Sequence, residues 1–254
     1  MPRIGKWIIH DQILNGREPD LYRSGQDQDI NMKRTGVVSL SFLTLFVLTA
    51  HADKQADRLY AEAIRLHGSA RLEEVFSLYT QAAELGNAVA QYNVAMMYAN
   101  GEGVNVDYQQ AVYWFKKSAG QQFAPAQFRL GELYFFGMGG LPEETKTAGR
   151  LFKAAAEQGD PDAQVNLAIL LGTGQVFPLD RERALYWLAQ AIEAGHESAH
   201  YYNELLLSSE SGRLGLEAQE SYWKQQKNYW VEMAAEYGVR EAREAIERPS
   251  GEGH

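Results

Sequence analysis

The chain has 254 residues, with 24 Lys and Arg against 33 Asp and Glu, 45% apolar side chains and no cysteine. This apolar content is enough to bury the core of one or two domains or of one elongated array. The net charge of −9 offers no basic surface to phosphate backbones, so we expect no nucleic-acid partner. The lack of cysteine excludes a disulfide scaffold, a thiolate zinc site, an iron–sulfur cluster and a cysteine nucleophile. It leaves the compartment open, because an exported protein can lack disulfides.

The N-terminal part of the chain contains the three elements of a secretory signal peptide. An uncharged segment, Val37–Ala50, follows Met32-Lys33-Arg34 and ends in Ala50-His51-Ala52, which has the small-x-small form of a cleavage site. We therefore predict a signal peptide over residues 32–52, cleavage after Ala52 and a periplasmic or secreted mature chain. Because this signal starts at Met32, we interpret residues 1–31 as a non-native N-terminal extension.

Two other interpretations of Val37–Ala50 stay open. If the segment is not cleaved, it tethers a scaffold to a membrane, which is the one circumstance in which we expect membrane contact. The segment is short for a bilayer span, which needs about 20 residues. The second alternative is a buried core helix, which does not account for the basic start and the cleavage motif.

An internal repeat covers most of the remaining chain. Three consecutive segments, 88–123, 124–160 and 161–197, carry an Ala-Gln pair at their third and fourth positions. Each also has a middle alanine, and fifteen residues always separate it from the next opening alanine. Length variation falls in the other connection, as in helix–loop–helix units whose loop absorbs insertions. The opening pairs are Ala90-Gln91, Ala126-Gln127 and Ala163-Gln164, and the middle alanines are Ala111, Ala148 and Ala184.

Both arms of the repeat have the periodicity of a helix. In the second arm, small and large apolar residues recur at steps of three and four, as at Trp114 and Phe115. Glycines follow this arm where a left-handed cap needs them, at Gly86, Gly159, Gly195 and Gly238. Gln122 takes one such place, where we predict a weaker or differently made cap. Asp107 and Asp180 are predicted to N-cap the second helix. The aromatic residues that we expect to pack between helices are Trp114, Trp187, Trp230, Tyr98 and Tyr134.

The unit Ala88–Ala119 combines the opening Ala-Gln with a tyrosine, a Gly-x-Gly-Val loop, an aspartate, a Trp-Phe pair and a closing small-Ala pair. This combination resembles the Sel-one-like repeat, a longer member of the tetratricopeptide superfamily, in its exported bacterial type. The resemblance implies an all-α fold, a right-handed α-solenoid of helix–loop–helix repeats over 53–248. The expected repeats are 53–87, 88–123, 124–160, 161–197 and 198–248, each approximate, with a tail at 249–254.

The resemblance also implies a function. It implies a non-catalytic, monomeric scaffold or adaptor that binds a protein or peptide and needs no cofactor or metal. Because first helices line the concave surface of tetratricopeptide-like arrays, their variable side chains are the candidates for partner contact, with plain solvent exposure as the alternative. These candidates are Gln91, Asn93, Met96, Gln127, Arg129, Glu132, Gln164, Asn166, His200 and Tyr202. The partner's identity has no local signature.

One short motif points to a different function. His196-Glu197-Ser198-Ala199-His200 matches the His-Glu-x-x-His signature of helical zinc hydrolases. These are also ordinary repeat positions, because Ala199 is the next opening alanine and His200 replaces the opening glutamine. With no third ligand evident, we predict no catalytic residue. An exported hydrolase, zinc-dependent through His196 and His200 or active on the cell wall, is the alternative.

The last unit departs from the pattern. Glu204–Lys227 has seven extra residues and lacks the Gly-x-Gly, so we predict a longer or irregular connection there. The fifteen-residue spacing returns between Lys227 and Ala242. The second-arm stripe returns with Trp230, Val231, Ala234 and Ala235.

Overall fold

The computed structural model describes residues 40–68, 71–209 and 211–236. Ten α-helices and no strands lie within these ranges. Contacts divide the chain into residues 1–49 and 50–254, and of the first unit only 40–49, the start of the first helix, is described. The helices are α1 Leu40–His67, α2 Leu72–Glu84, α3 Ala88–Asn100, α4 Tyr108–Gly120, α5 Ala124–Phe136, α6 Thr145–Ala156, α7 Pro161–Thr173, α8 Arg181–Glu193, α9 Glu197–Ser208 and α10 Leu216–Glu236.

Helix–loop–helix pairs follow one another from α1–α2 to α7–α8. Each helix from α2 to α8 packs against the next one in the chain, as expected when each repeat contacts its neighbours. Helix α1 joins α2 through Tyr60 and Tyr79, whose ring centroids are 5.8 Å apart. The predicted all-α solenoid of helix–loop–helix repeats is confirmed.

Helix α1 contains much of the predicted signal segment. It runs without interruption from Leu40 through the predicted cleavage site to His67. Among its described side chains, Ala56 and Ala63 are buried, at 2% and 0% exposure. No helix within the described residues is long and apolar enough to cross a membrane. The predicted extension 1–31 and the tail 249–254 lie outside the described residues.

Side chains cap the helices of both arms. Asp107 accepts hydrogen bonds from two backbone N–H groups in the first turn of α4, at 2.9 and 3.0 Å. Asp180 accepts one in α8, at 2.9 Å. Both predicted N-caps are confirmed, and Asn87 and Asp160 cap the first helices α3 and α7 in the same way. Each cap satisfies a backbone donor that the helix leaves unpaired, which stabilises it by about 1 kcal/mol.

The residue after most second helices has the left-handed conformation. Three of the four predicted glycines have this conformation, with φ angles of 101° at Gly86, 91° at Gly159 and 82° at Gly195. The fourth, Gly238, lies outside the described residues. Gln122 adopts the same conformation with φ 63°. There the closing bond from Phe123 N–H to the Ser118 carbonyl is 3.4 Å long, against 2.9–3.2 Å at the glycine caps. The weaker cap predicted at this position is confirmed.

Replacing Gln122 by Gly is expected to stabilise the fold by about 0.5–1 kcal/mol. A side chain in the left-handed region costs about 1–2 kcal/mol, and the greater freedom of glycine in the unfolded chain offsets part of the gain. The matched control is Gly159→Gln, which should lose a similar amount, because no atom crowds Gly159 and only the conformational cost acts. Urea unfolding measures both variants. A Gln122→Gly protein no more stable than wild type would mean that this residue is not strained.

The core lies between the two arms of each repeat. Three repeats each contribute one large side chain to it from the same position of the second arm. These residues, each 0% exposed, are Phe115, Phe152 and Leu188. Trp114 is buried and Trp187 is half-buried against the core. Tyr98 and Tyr134 also pack as predicted. The prediction for Trp230 lies outside the described side chains.

Helix α10 differs from the prediction in position and in packing. The irregular connection expected over Glu204–Lys227 is limited to residues 209–215, because α9 runs to Ser208 and α10 begins at Leu216. Helix α10 contacts α3 and α7, which are first helices. It carries an aromatic pair, Tyr222 and Trp223, that is buried at 2% and 8% exposure. Tyr222 contacts α7 and α9, and Trp223 contacts α5 and α6. The extra residues are therefore helical, and the fifth repeat is not a regular pair within the described residues.

Candidate functional site

The first helices α3, α5, α7 and α9 form one face of the solenoid, and α10 lies on it. Side chains of α10 reach Phe135 in α5, Asn166 in α7 and Tyr202 in α9. We call this face the groove. It is the surface for which the sequence predicted partner contact, and a helix of the same chain occupies it.

Trp223 is the apolar anchor of α10. Its ring stacks on Phe135, with centroids 4.1 Å apart and planes at 29°. It also meets Phe152 at 6.4 Å and Phe136 at 6.3 Å. Burial of a side chain of this size contributes on the order of 2–3 kcal/mol, and the aromatic packing adds to it. We call Phe135, Phe136 and Phe152 the aromatic slot.

Tyr222 makes the central polar contact. Its hydroxyl donates to the amide oxygen of Asn166, and its ring packs edge-on against Tyr202 at 5.2 Å. Burial raises the pKa of Tyr222, and the negative charges of Asp162 and Glu132 raise it further. The hydroxyl therefore stays protonated and remains a donor. Asn166 and these two carboxylates form an acceptor-rich pocket, which we call the polar pocket.

Arg129 and His196 contact the carboxylates of the polar pocket. Arg129 Nη1 donates to Oε2 of Glu132 at 2.8 Å, with 13% and 0% of the two side chains exposed. His196 Nε2 lies 3.0 Å from Asp162 Oδ1. Burial by itself would raise the pKa of Asp162, but the hydrogen bond with His196 and the charge of Arg129 outweigh it and lower that pKa. Asp162 therefore keeps its negative charge at neutral pH.

Asp160, beside the polar pocket, has the opposite shift. Burial, followed by the charge of Asp162, raises the pKa of Asp160 to about 6, although the Ala163 N–H and the positive groups oppose the change. The unfolded chain has the ordinary value of about 3.9. A raised carboxyl pKa means that the folded state holds the proton more tightly. Ionisation of Asp160 therefore lowers stability as the pH rises from about 4 to about 6.

Asp160→Asn is expected to raise stability at pH 7 by about 1–2 kcal/mol and to flatten its pH dependence between pH 4 and 6. Asparagine keeps the N-cap, as Asn87 does at the equivalent position, and removes the buried charge. The gain is less than the full pKa shift implies, because solvent reaches part of the carboxylate. Thermal unfolding across this pH range measures it. Asp107→Asn, at an exposed N-cap, is the control and should change little. A loss of stability at pH 7 would show that the fold needs the ionised form of Asp160.

The structure buries eight of the ten side chains predicted on an open concave surface. Their exposed fractions are 0–7%, and they are Gln91, Asn93, Met96, Gln127, Glu132, Gln164, Asn166 and Tyr202. Arg129 is partly buried and His200 is exposed. The expectation of open exposure is wrong for the eight because adjacent repeats approach closely and α10 covers part of the groove. A role of these residues in partner binding stays a prediction.

The recurring glutamine joins one repeat to the next. Gln91 Nε2 donates to a backbone carbonyl of α2 at 3.0 Å, and its Oε1 accepts from Gln121 at 2.8 Å. Gln158 donates to Gln127 in the same way at 2.7 Å. At His200 the series ends, because histidine replaces the glutamine. These glutamines therefore hold the register of the solenoid.

Asn93 and Asn166 occupy equivalent positions in α3 and α7. Asn93 faces the hydroxyls of Tyr60 and Tyr79, and Asn166 receives the hydroxyl of Tyr222. A buried amide on a first helix thus meets a tyrosine hydroxyl twice. In the second case the tyrosine comes from α10.

The His-Glu-x-x-His match does not have the geometry of a helical zinc site. His196 is the residue before α9 and lies against Asp162, whereas His200 is exposed inside the helix. The signature needs both histidines on one helix face, one turn apart. Among the described residues, no group of three or more His, Asp or Glu side chains is placed to hold a metal ion.

Helix α9 is open on one side. Tyr201 and Leu207 are each 55% exposed, although their equivalents in α7, Val165 and Leu171, are 0% and 7% exposed. A cleft of about 570 Å³ beside α9 is lined in part by Tyr201 and Leu205. Within the described residues, no second helix covers this side of α9 as α4, α6 and α8 cover the earlier first helices.

The predicted site residues do not include Tyr222, Trp223 and Gln219, because these three fall in the segment predicted as a connection. Gln219 donates to Gln175, in the loop after α7. A signal was present in the sequence, since two adjacent large aromatic residues are unusual in an exposed loop, where small and polar residues dominate. Such a pair indicates a buried contact.

Stacked helix pairs with a groove along their first helices define a helical-repeat protein of the α-solenoid class. The Sel1 repeat matches four consecutive segments, residues 76–87, 88–123, 124–160 and 161–196. The chain is a Sel1-like repeat protein, which confirms the resemblance to this repeat. The exported type stays a prediction. Proteins with this repeat are generally protein-interaction scaffolds.

Three known proteins show the likeness. The chain is 28% identical over 154 residues to an exopolysaccharide production negative regulator of Rhizobium leguminosarum bv. viciae, covering 56% of this chain and 58% of the relative. It shares 25% identity and a TM-score of 0.55 with a Sel1 repeat protein from Oxalobacter formigenes, covering 74% and 73% of the two chains. A protective antigen present in uropathogenic Escherichia coli strains, which displays an SLR fold, has the same identity and TM-score, with 78% and 40% covered. The chain thus spans little more than half the length of the Rhizobium regulator.

Proposed function

We propose that the chain is a non-catalytic, monomeric scaffold that binds a protein or peptide in the groove. One observation carries this proposal: a helical segment, α10, lies in the groove with Tyr222 and Trp223 buried. The surface is therefore shaped to receive a helix. The Rhizobium relative is named a negative regulator, which suits a protein that acts by binding. The proposal needs no cofactor or metal.

The experiment is a pull-down from envelope extract with the mature chain as bait. We expect one dominant partner, which then binds the purified chain in a titration. The control bait carries Tyr186→Ser, since Tyr186 is 55% exposed and lies on α8, away from the groove. This bait should recover the same partner. If neither bait recovers a partner at low or at physiological salt, the scaffold proposal fails.

We also propose that the chain is exported and cleaved after Ala52. The charge and cleavage pattern of residues 32–52 supports this proposal. It is also supported by the position of Ala56 and Ala63, the buried residues of α1, which both follow the cleavage site and stay in the mature chain. N-terminal sequencing of the exported protein is expected to begin at Asp53. A start before residue 50, or a chain found only in the membrane fraction after a high-pH carbonate wash, would contradict cleavage.

A further inference from the structure

We propose that the groove is a receptor for an amphipathic helix with two adjacent aromatic residues, the first bearing a hydroxyl, and that α10 is an intramolecular occupant which such a partner displaces. This inference rests on the proposed function and adds the chemistry of the partner. It follows from the contacts of α10, from the polar atoms that α10 leaves without partners, and from the open side of α9.

The groove has two subsites, and adjacent residues of one helix fill them. The aromatic slot takes a flat ring, since Phe135 stacks on Trp223 at 4.1 Å. The polar pocket takes a donor, because Asn166 Oδ1 accepts from Tyr222 and the carboxylates of Asp162 and Glu132 lie near that hydroxyl. A phenylalanine in place of the tyrosine would leave this acceptor unpaired. A Tyr-Trp pair on a helix therefore fits both subsites together.

Helix α10 fits the groove incompletely. Within the described structure, three buried polar atoms of this contact have no hydrogen-bond partner: Asn166 Nδ2, Gln219 Oε1 and Trp223 Nε1. Buried polar groups are normally paired, and each one left unpaired weakens the contact. A partner helix with an acceptor beside its tyrosine satisfies Asn166 Nδ2 and binds more tightly than α10. Such a partner helix can therefore displace α10 from the groove.

The sequence also provides a second place for α10. The fifteen-residue spacing and the second-arm stripe return after Lys227, as if this segment could act as the second helix of the last repeat. That helix would pack on α9, where Tyr201 and Leu207 are each 55% exposed. Because α10 can pack on α9 instead, its release from the groove costs less free energy than full exposure of its apolar side chains to solvent.

The first test uses a fluorescent peptide of residues 216–236 as the probe and the full chain as the receptor. The wild-type chain should bind the peptide weakly, because α10 competes from within. The variant Tyr222→Phe with Trp223→Ala weakens that competitor and leaves the groove intact. It should bind the peptide about tenfold or more tightly than wild type, since the open form is more populated. A peptide with Tyr222 and Trp223 changed to Ala should bind far more weakly, and the Tyr186→Ala chain should bind as wild type does.

The second test locks α10 in place. Gln175 and Gln219 contact each other, and the chain has no cysteine, so Gln175→Cys with Gln219→Cys gives one defined pair for a short, cleavable bis-maleimide. The locked chain should not bind the peptide, and cleavage of the linker should restore binding to the wild-type level. Circular dichroism confirms that each form is folded.

Equal peptide affinities of the wild-type chain and the Tyr222→Phe, Trp223→Ala variant would overturn the proposal. If the Tyr222→Phe, Trp223→Ala variant does not fold, the cross-linked chain alone tests the proposal. Equal peptide binding before and after linker cleavage would then overturn the proposal. The pull-down partner separates this failure from a failure of the scaffold function. If that partner binds the locked chain as well as the wild type, it uses a surface other than the groove. The chain is then still a binding scaffold, but the inference and the proposed binding surface both fall.

Discussion

Replacing Arg129 by Asn is expected to lower the free energy of unfolding by about 3–5 kcal/mol, measured by urea unfolding at pH 7. Glu132 is 0% exposed, and Arg129 Nη1 donates to it at 2.8 Å. Removing one member of a buried ion pair leaves the other charge in a medium of low polarity, which costs far more than the pair itself contributes. Arg129 also lies over the ring of Phe128 at 5.0 Å, and this contact is lost as well.

The repeat provides a matched control for this variant. Asn93 and Met96 occupy the positions of Arg129 and Glu132 in the preceding repeat, where both are buried. The double variant Arg129→Asn with Glu132→Met therefore inserts a pair that the same fold already accepts, and it should recover most of the lost stability. If the double variant is as unstable as Arg129→Asn alone, the cost does not come from the buried carboxylate.

Phe152→Ala is expected to be equally destabilising, by about 3–5 kcal/mol, because it opens a cavity in the centre of the core. Phe152 is 0% exposed and meets Phe128 at 5.9 Å and Trp223 at 6.4 Å. Its ring is also pressed against α5, where a Cβ added at Gly131 would lie 2.7 Å from Cε1. No side chain at Gly131 can move in to fill the space. Urea unfolding measures the loss, and α10 should loosen too because the aromatic slot loses one wall.

Phe152→Leu is the matched control for the cavity. Leu188 fills the equivalent position of the next repeat and is 0% exposed, so leucine is compatible with this part of the unit. We expect Phe152→Leu to cost less than about 2 kcal/mol, since most of the volume remains. A Phe152→Ala variant that loses no more than Phe152→Leu would show that the surrounding helices collapse into the cavity.

The local parts of the fold were predictable from the sequence because they depend on residues near one another in the chain. The caps at Asp107 and Asp180 need only a side-chain oxygen two or three residues before a helical N–H. The left-handed positions, including the irregular one at Gln122, follow from helix ends of fixed spacing. Packing of Trp114 followed from its place in the 3.6-residue stripe.

The burial of the groove side chains was not predicted from the sequence, for a physical reason. A glutamine that recurs on a first helix is compatible with an exposed contact or with a buried bridge, and only the position of Gln121 and Gln158 shows that it is a bridge. The exposure of Asn166 likewise depends on a helix that follows it by about fifty residues in the sequence and donates the hydroxyl of Tyr222. A local sequence pattern does not extend over that separation.

The sequence by itself determined that this protein is a Sel1-like α-solenoid, where the caps at Asp107 and Asp180 lie, and which small and aromatic residues pack between neighbouring pairs. Periodicity and capping depend on residues within one repeat, so the sequence of one repeat is enough to predict them. Only the tertiary structure decided where α10 lies and that Tyr222 and Trp223 fill the groove. That placement depends on contacts with Phe135 and Asn166, which lie far from α10 in the sequence, so no pattern within one repeat predicts it.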